Sequence, residues 1–210
     1  HPDAYIQSHV AENRAEIAWV NELFPGRRSY LDVYDHFGLL RDKSIYAHCI
    51  YLDDADRARM TSAGATPSFC PTSNLFIGSG LYDLKQALEA GNCVSIGTDI
   101  GGGTSYSMLR TLGEAYKVQQ LQGISLSPAY ALYLATLGGA KALSIDDKLG
   151  SITVGKEADF ALLDPAATPL LARRTSLRDD PLDTFFALMT LGDDRAIAAT
   201  YVNGVCVHRR

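Results

Sequence analysis

At 210 residues, 47% of them hydrophobic and 20% charged, the chain is long enough to bury a sizeable core and reads as a soluble globular protein of one or two domains. A formal net charge of −5 and a pI near 5.5 argue against a polyanion-binding surface, which needs clustered Lys and Arg, so nucleic acid is not an expected partner. The longest weakly charged run, residues 129–140, is too short and too rich in Gly and Thr to cross a bilayer, and no signal peptide opens the chain, so no membrane is expected either.

Along the chain, strands alternate with helices. Residues 5–9 alternate as a strand does, and from Glu12 the apolar residues recur at helical spacing to about residue 24. After a turn at PGRR, a short helical stretch covers residues 31–37, and SIYAHCIYL (residues 44–52) predicts the next strand. DDADRARMTSAG (residues 53–64) has the Asp start and Gly stop of a helix. ATPSFCP (65–71) predicts a short buried strand, LYDLKQALEAG (81–91) a helix and NCVSIGTD (92–99) a fourth strand. YSMLRTLGEAYKVQQLQG (106–123) then predicts a helix with Met108, Leu112, Ala115 and Val118 on one stripe.

Such strand-then-helix units imply an α/β chain with a parallel sheet, as in a β/α barrel or a doubly wound fold. GTDIGGGTS (97–105) lacks the G-x-G-x-x-G register of a dinucleotide site, which favours the barrel. Past residue 142 the texture turns β-rich. KLGSITVGKEADFALLDP (148–165) and AIAATYVNGVCVHRR (196–210) read as strands, the second with Asn203-Gly204 as a type I′ hairpin turn, and a helix is predicted between them over about residues 181–191. The expected division is barrel units over 1–146 and part of a small β domain over 147–210. Four cysteines, Cys49, Cys70, Cys93 and Cys206, form no C-x-x-C pair and sit in mostly apolar contexts, the pattern of buried free thiols in a reducing compartment, which predicts a cytoplasmic protein.

His9, His48 and Asp99 each stand at the end of a predicted strand, and in a β/α barrel the carboxyl ends of all strands open onto one face. Two imidazoles and a carboxylate there have the donor chemistry of a hydrolytic Zn or Fe ion. Glu12, three residues past His9, is placed to serve as general base. Taken singly, each residue has a structural reading. Glu12 would be a first-turn acid favoured by the helix dipole, and Asp99 the cap of a glycine turn. His36 and His208 are read as structural, in a helix and at a frayed C-terminus. The joint placement at equivalent strand ends carries the functional reading.

HVAEN (9–13), the histidine of YAHC (46–49), CPTSNLFIGSGL (70–81) and GTDIGGGTS resemble, in order and spacing, the second half of the guanine deaminases, a branch of the amidohydrolase superfamily. GSITVGKEADFALLD (150–164) and YVNGVCV (201–207) are similar to that superfamily's C-terminal β-sandwich segment. The resemblance implies the second half of a (β/α)8 TIM-type barrel, strands five to eight with their helices over 1–146. The C-terminal part of a composite β-sandwich would follow over 147–210. It implies one divalent metal per complete site, zinc first and iron second, with His9 and Asp99 as ligands and His48 either a ligand or the group that polarises the attacking hydroxide. Glu12, His48 and Asp99 become the catalytic residues, with His9, Glu12 and Asp99 against the substrate.

The implied reaction is hydrolysis of guanine to xanthine and ammonia in purine catabolism, in a cytoplasmic homodimer. The alternatives are another amino-purine or S-adenosylhomocysteine-type deaminase, a triazine hydrolase, or a catalytically silent module. The chain departs from the family's pattern in two respects: no His-x-His pair occurs in it, and the upstream Arg-Phe pair that holds the purine in similar enzymes is missing as well. A barrel of eight strands takes about 250 residues. The expectation is therefore a C-terminal half that needs the missing N-terminal half of the barrel as its partner and is inactive without it.

Overall fold

The computed structural model describes residues 1, 3–177 and 179–210. Strand β1 (Ile6–Val10) leads through Asn13, whose side chain accepts from Glu16 N, into helix α1 (Arg14–Leu23). Ser29 caps α2 (Tyr30–His36), and β2 (Ser44–His48) follows. Asp53 caps α3 (Asp54–Ala63), which stops at left-handed Gly64, so both predicted signals of that helix are used. Next come β3 (Thr66–Phe69), α4 (Pro71–Phe76), α5 (Leu84–Glu89), β4 (Ser95–Ile96) and α6 (Met108–Leu121). Strands β1 to β4 pair in sequence order, all parallel, through β1–β2, β2–β3 and β3–β4. Parallel neighbours one unit apart require a crossover helix on each connection, and the helices take that role here.

Helix α7 (Pro128–Tyr133) runs through a π-helical turn (Leu134–Gly138) into α8 (Gly139–Ala142). The remainder comprises β5 (Phe160–Leu163), α9 (Pro169–Thr175), α10 (Pro181–Leu191), a 3-10 turn (Asp194–Ala196), β6 (Ile197–Val202) and β7 (Val205–Arg209). Strands β5, β6 and β7 form an antiparallel sheet in that order. One apolar core joins Val10, Tyr46, Phe69 and Ile96 of the parallel strands to Leu112 and Val118 of α6 and to Phe185, Leu188 and Met189 of α10. The helix that the sequence places among C-terminal strands therefore packs into the core of the parallel sheet.

Several local expectations are corrected. Glu12 precedes the Asn13 cap, so it is not a first-turn acid; Glu16 fills that place. On α6 the buried stripe runs through Leu109, Leu112, Ala115 and Val118, so Leu112, Ala115 and Val118 are buried as predicted and Leu109 takes the place of Met108, which is only partly covered. The fourth strand shrinks to two residues because the chain turns away at the glycine-rich segment. Residues 148–156 form turns rather than a strand, and Ile152 and Val154 stand fully in the open. Cys49 and Cys70 are buried but Cys93 and Cys206 are exposed. His208 lies in β7 rather than at a frayed end. Helices α4, α7, α8 and α9 lie outside the predicted elements, although α4, α7 and α9 open on Pro, a signal for the first helical turn.

Candidate active site

The parallel pairing sets His9 beside Ala47 and Val10 beside His48, so the two histidines leave adjacent strands at the same edge of the sheet. Immediately there the backbone turns left-handed at non-glycine residues: Ala11 (φ 49), His48 (φ 71), Cys49 (φ 51) and, after β4, Asp99 (φ 47). Each such residue costs about 1–2 kcal/mol. Concentration of that strain at the strand ends, where the surrounding pairing imposes it, is characteristic of functional sites. The turns do not release the strands, because Cys49 N donates to Val10 O (3.1 Å) and Tyr51 N to Ala11 O (3.1 Å).

Asp99 is held by the glycine run behind it. Gly103 N donates to Asp99 O (2.6 Å), and Thr72 Oγ1 donates to Thr98 O (3.1 Å). A Cβ on Gly103 would lie 2.0 Å from Thr98 O, so only glycine allows this loop to fold back under the carboxylate.

The result is a compact polar cluster. One donor atom each from His9, His48 and Asp99 lies within 4.8 Å of the others. The His9 and His48 rings stack with centroids 5.3 Å apart. His48 Nε2 is 3.8 Å from Asp99 Oδ2 and 3.6 Å from Glu12 Oε2. His48 is buried, Glu12 and Asp99 are partly covered, and His9 is exposed. All four residues singled out in the sequence thus meet at one lip. Two imidazole nitrogens and a carboxylate oxygen within ligand reach of a common centre fit a divalent cation.

Two residues that sequence reasoning missed hold this cluster. Asn74 Oδ1 lies 2.8 Å from His48 Nδ1, both groups buried. With that oxygen accepting, Nδ1 carries a proton and Nε2 of the neutral ring keeps its lone pair toward Glu12 and Asp99, the arrangement by which an outer partner fixes a metal-facing imidazole. Ser79 Oγ donates to Glu12 Oε1 at 2.7 Å. Both residues belong to the CPTSNLFIGSGL segment, whose only signal in the sequence was its resemblance to the family. The nearby thiols do not compete for chemistry. Burial, with the negative charge of Asp99 adding to it, pushes Cys70 up to about 12, and burial holds Cys49 well above the ordinary thiol range, so neither offers a thiolate near neutrality.

The parallel sheet carries this cluster at its carboxyl edge, and the chain belongs to the amidohydrolase family, which it matches over residues 1–207. Among individual proteins it is similar to the guanine deaminase of Escherichia coli K12, 49% identical over the whole chain and 48% of the relative. The solved E. coli structure superposes with a TM-score of 0.98, covering 100% of this chain and 49% of that one. A guanine deaminase from C. acetobutylicum with guanine bound in its active site is 30% identical, with a TM-score of 0.85 over 96% of this chain and 48% of that one. An adenosine deaminase from Xanthomonas campestris with bound Zn is 26% identical, with a TM-score of 0.84 over 97% of this chain and 45% of that one. The chain spans about half the length of the relatives it matches.

Proposed function

We propose that the protein hydrolyses guanine to xanthine and ammonia. The observation that carries this reading is the convergence of His9, Glu12, His48 and Asp99 at one sheet edge in a chain that is similar throughout its length to guanine deaminases. His9 and Asp99 would hold a divalent cation, with His48 Nε2 beside it. That ion supplies Lewis-acid activation of water when bound. The nitrogen and oxygen donor set suits zinc or iron, and zinc is proposed first on the support of the Zn in the X. campestris neighbour.

The chain's own groups then divide the work. Glu12 Oε2, facing the cluster, takes a proton from the attacking water and returns it to the ring or to the departing amine at C2 of the purine. His48 and Asp99 orient the nucleophile and stabilise charge that develops at C2. His9, Glu12 and Asp99 lie against the substrate.

The proposal extends to architecture. Residues 1–146 would be strands five to eight of a (β/α)8 barrel and residues 147–210 part of a composite β-sandwich. A His-x-His pair outside these 210 residues would complete the ligand set, since two firm ligands do not make a competent catalytic site. Cytoplasmic location, supported by the free cysteines, and a homodimer belong to the same reading. The test is ammonia release by the metal-loaded full-length protein from guanine, adenine, 8-oxoguanine and a chlorotriazine. Guanine is expected to exceed the others by at least about 10²-fold in kcat/KM. Faster turnover of any of the other three overturns the assignment.

A further inference from the structure

The two oxygens of Glu12 have different neighbours. Oε2 faces His48 Nε2 at 3.6 Å, while Oε1 accepts the Ser79 hydroxyl at 2.7 Å. Glu12 lies outside helix α1, before the Asn13 cap, so helix geometry does not set the direction of its side chain. Ser79 is 67 residues away in sequence and nearly fully buried, and its donor has no reason in local structure to point at a carboxylate.

Ser79 is itself clamped from three sides. Its N–H donates to Asn74 O (2.9 Å), which ties it to the segment that also contacts His48. Its carbonyl accepts the Tyr51 hydroxyl (2.7 Å), and the Tyr51 ring carries the Arg14 guanidinium 4.5 Å from its centroid. At Gly80, with φ at +144, a Cβ would lie 2.7 Å from that same Tyr51 hydroxyl, so the chain can pass there only as glycine. A hydroxyl this firmly placed donates a charge-assisted hydrogen bond to one oxygen of the carboxylate and leaves the other for chemistry.

We propose that Ser79 is a positioning residue for Glu12: it anchors Oε1 so that Oε2 is presented to the His9, His48 and Asp99 cluster. The inference rests on the reading of Glu12 as proton shuttle. A carboxylate freed from this anchor samples other rotamers, and the fraction aimed at the reacting atoms falls, which lowers kcat rather than substrate binding.

The experiment compares the metal-loaded full-length protein with Ser79→Ala, Ser79→Thr, Glu12→Gln and the Ser79→Ala/Glu12→Gln double variant. Ser79→Ala is expected to lower kcat on guanine about 10-fold or more with KM changed less than about twofold, and Ser79→Thr, which keeps the hydroxyl, to recover most of the loss. In the Glu12→Gln background the same truncation is expected to change the rate by less than about twofold, because the group being positioned no longer transfers a proton. A crystal structure of Ser79→Ala should show the Glu12 carboxylate rotated away from His48. Three results would overturn the proposal: an unchanged kcat in Ser79→Ala, an equal loss in both backgrounds, or a Glu12 carboxylate that stays in place without the hydroxyl. Failure of the guanine assignment looks different, as a metal-loaded wild-type protein that releases no ammonia from guanine, and the crystallographic arm still decides the role of Ser79 in that case.

Discussion

Strands β2 and β7 have the same length and opposite surroundings. In β2 every residue except Ile45 is buried, with a parallel neighbour on each side, whereas all five residues of β7 are exposed and, among the described residues, it pairs only with β6. The end of β2 can hold His48 in a left-handed conformation because Val10, Asn74 and the flanking strands leave the residue no alternative. At the β6–β7 corner, Asn203 and Gly204 also have positive φ, but there the turn type asks for it, and the corner is held through its backbone, Asn203 N donating to Asp159 Oδ1 (2.7 Å) and Gly204 N to Ala158 O (2.9 Å). Backbone strain therefore has two meanings in one molecule. In the parallel sheet it aims chemical groups from distant segments at one point, and in the hairpin it only reverses the chain.

If that distinction is right, substitutions in the two regions should separate activity from stability. The largest effect belongs to the cluster. In the full-length protein Glu12→Gln keeps the side chain's size and removes its proton transfer, and turnover on guanine should fall at least about 10²-fold, with bound metal and melting temperature nearly unchanged. His9→Ala should instead strip the metal, because it deletes a ligand. Rate, metal content and thermal midpoint measured on both variants check this. A Glu12→Gln protein with near wild-type turnover would leave the sheet edge without its base and erase the contrast with the hairpin.

The same contrast explains what was legible in the sequence. The hairpin could be read because a type I′ turn is written in two adjacent residues, and helix α3 because its Asp and Gly signals are local. His9, His48 and Asp99 could be read because strand ends in successive βα units share a face by topology. Asn74 and Ser79 could not. Their partners are 26 and 67 residues away, and a buried Asn or Ser in a loop carries no pattern that names its acceptor. Residues 148–156 misled in the opposite way: Ile152 and Val154 have the composition of a strand, but strand formation needs a neighbour to pair with, and both stand in the open.

A smaller effect is expected at the hairpin. Gly204 has φ at +76, and the nearest atom to an added Cβ is Ala158 Cβ at 3.9 Å, so Gly204→Ala meets strain without a clash. The cost should be about 1–2 kcal/mol, read as a lower denaturation midpoint, with kcat and KM on guanine unchanged. A change in kcat would show that the antiparallel sheet communicates with the cluster, and the separation of roles between the two regions would fail.

The smallest effect tests the joint between the regions. Asp193 follows α10 at the start of the 3-10 turn that leads into β6; it accepts from Arg195 Nε (2.9 Å) and Nη2 (2.8 Å) and lies 3.6 Å from Arg110 Nη2 of α6. The hydrogen bonds from Arg195 hold its carboxyl at about 2, below the usual carboxylate value near 3.9. A depressed folded-state pKa means that the folded state favours the ionised form, so the stabilisation is complete above about pH 4 and is lost as pH falls through about 2. Both guanidinium groups are more than half exposed, so solvent screening limits the contribution to roughly 0.5–1 kcal/mol. Asp193→Asn should accordingly melt about 1–4 °C below wild type at pH 6, and the gap should close as both proteins are brought from pH 4 to pH 2. Thermal melts of the two proteins across that range provide the measurement. A gap that stays constant down to pH 2 would mean that Asp193 acts through shape and hydrogen bonding as a cap, and that charge does not fasten the antiparallel sheet to the helix packed on the parallel one.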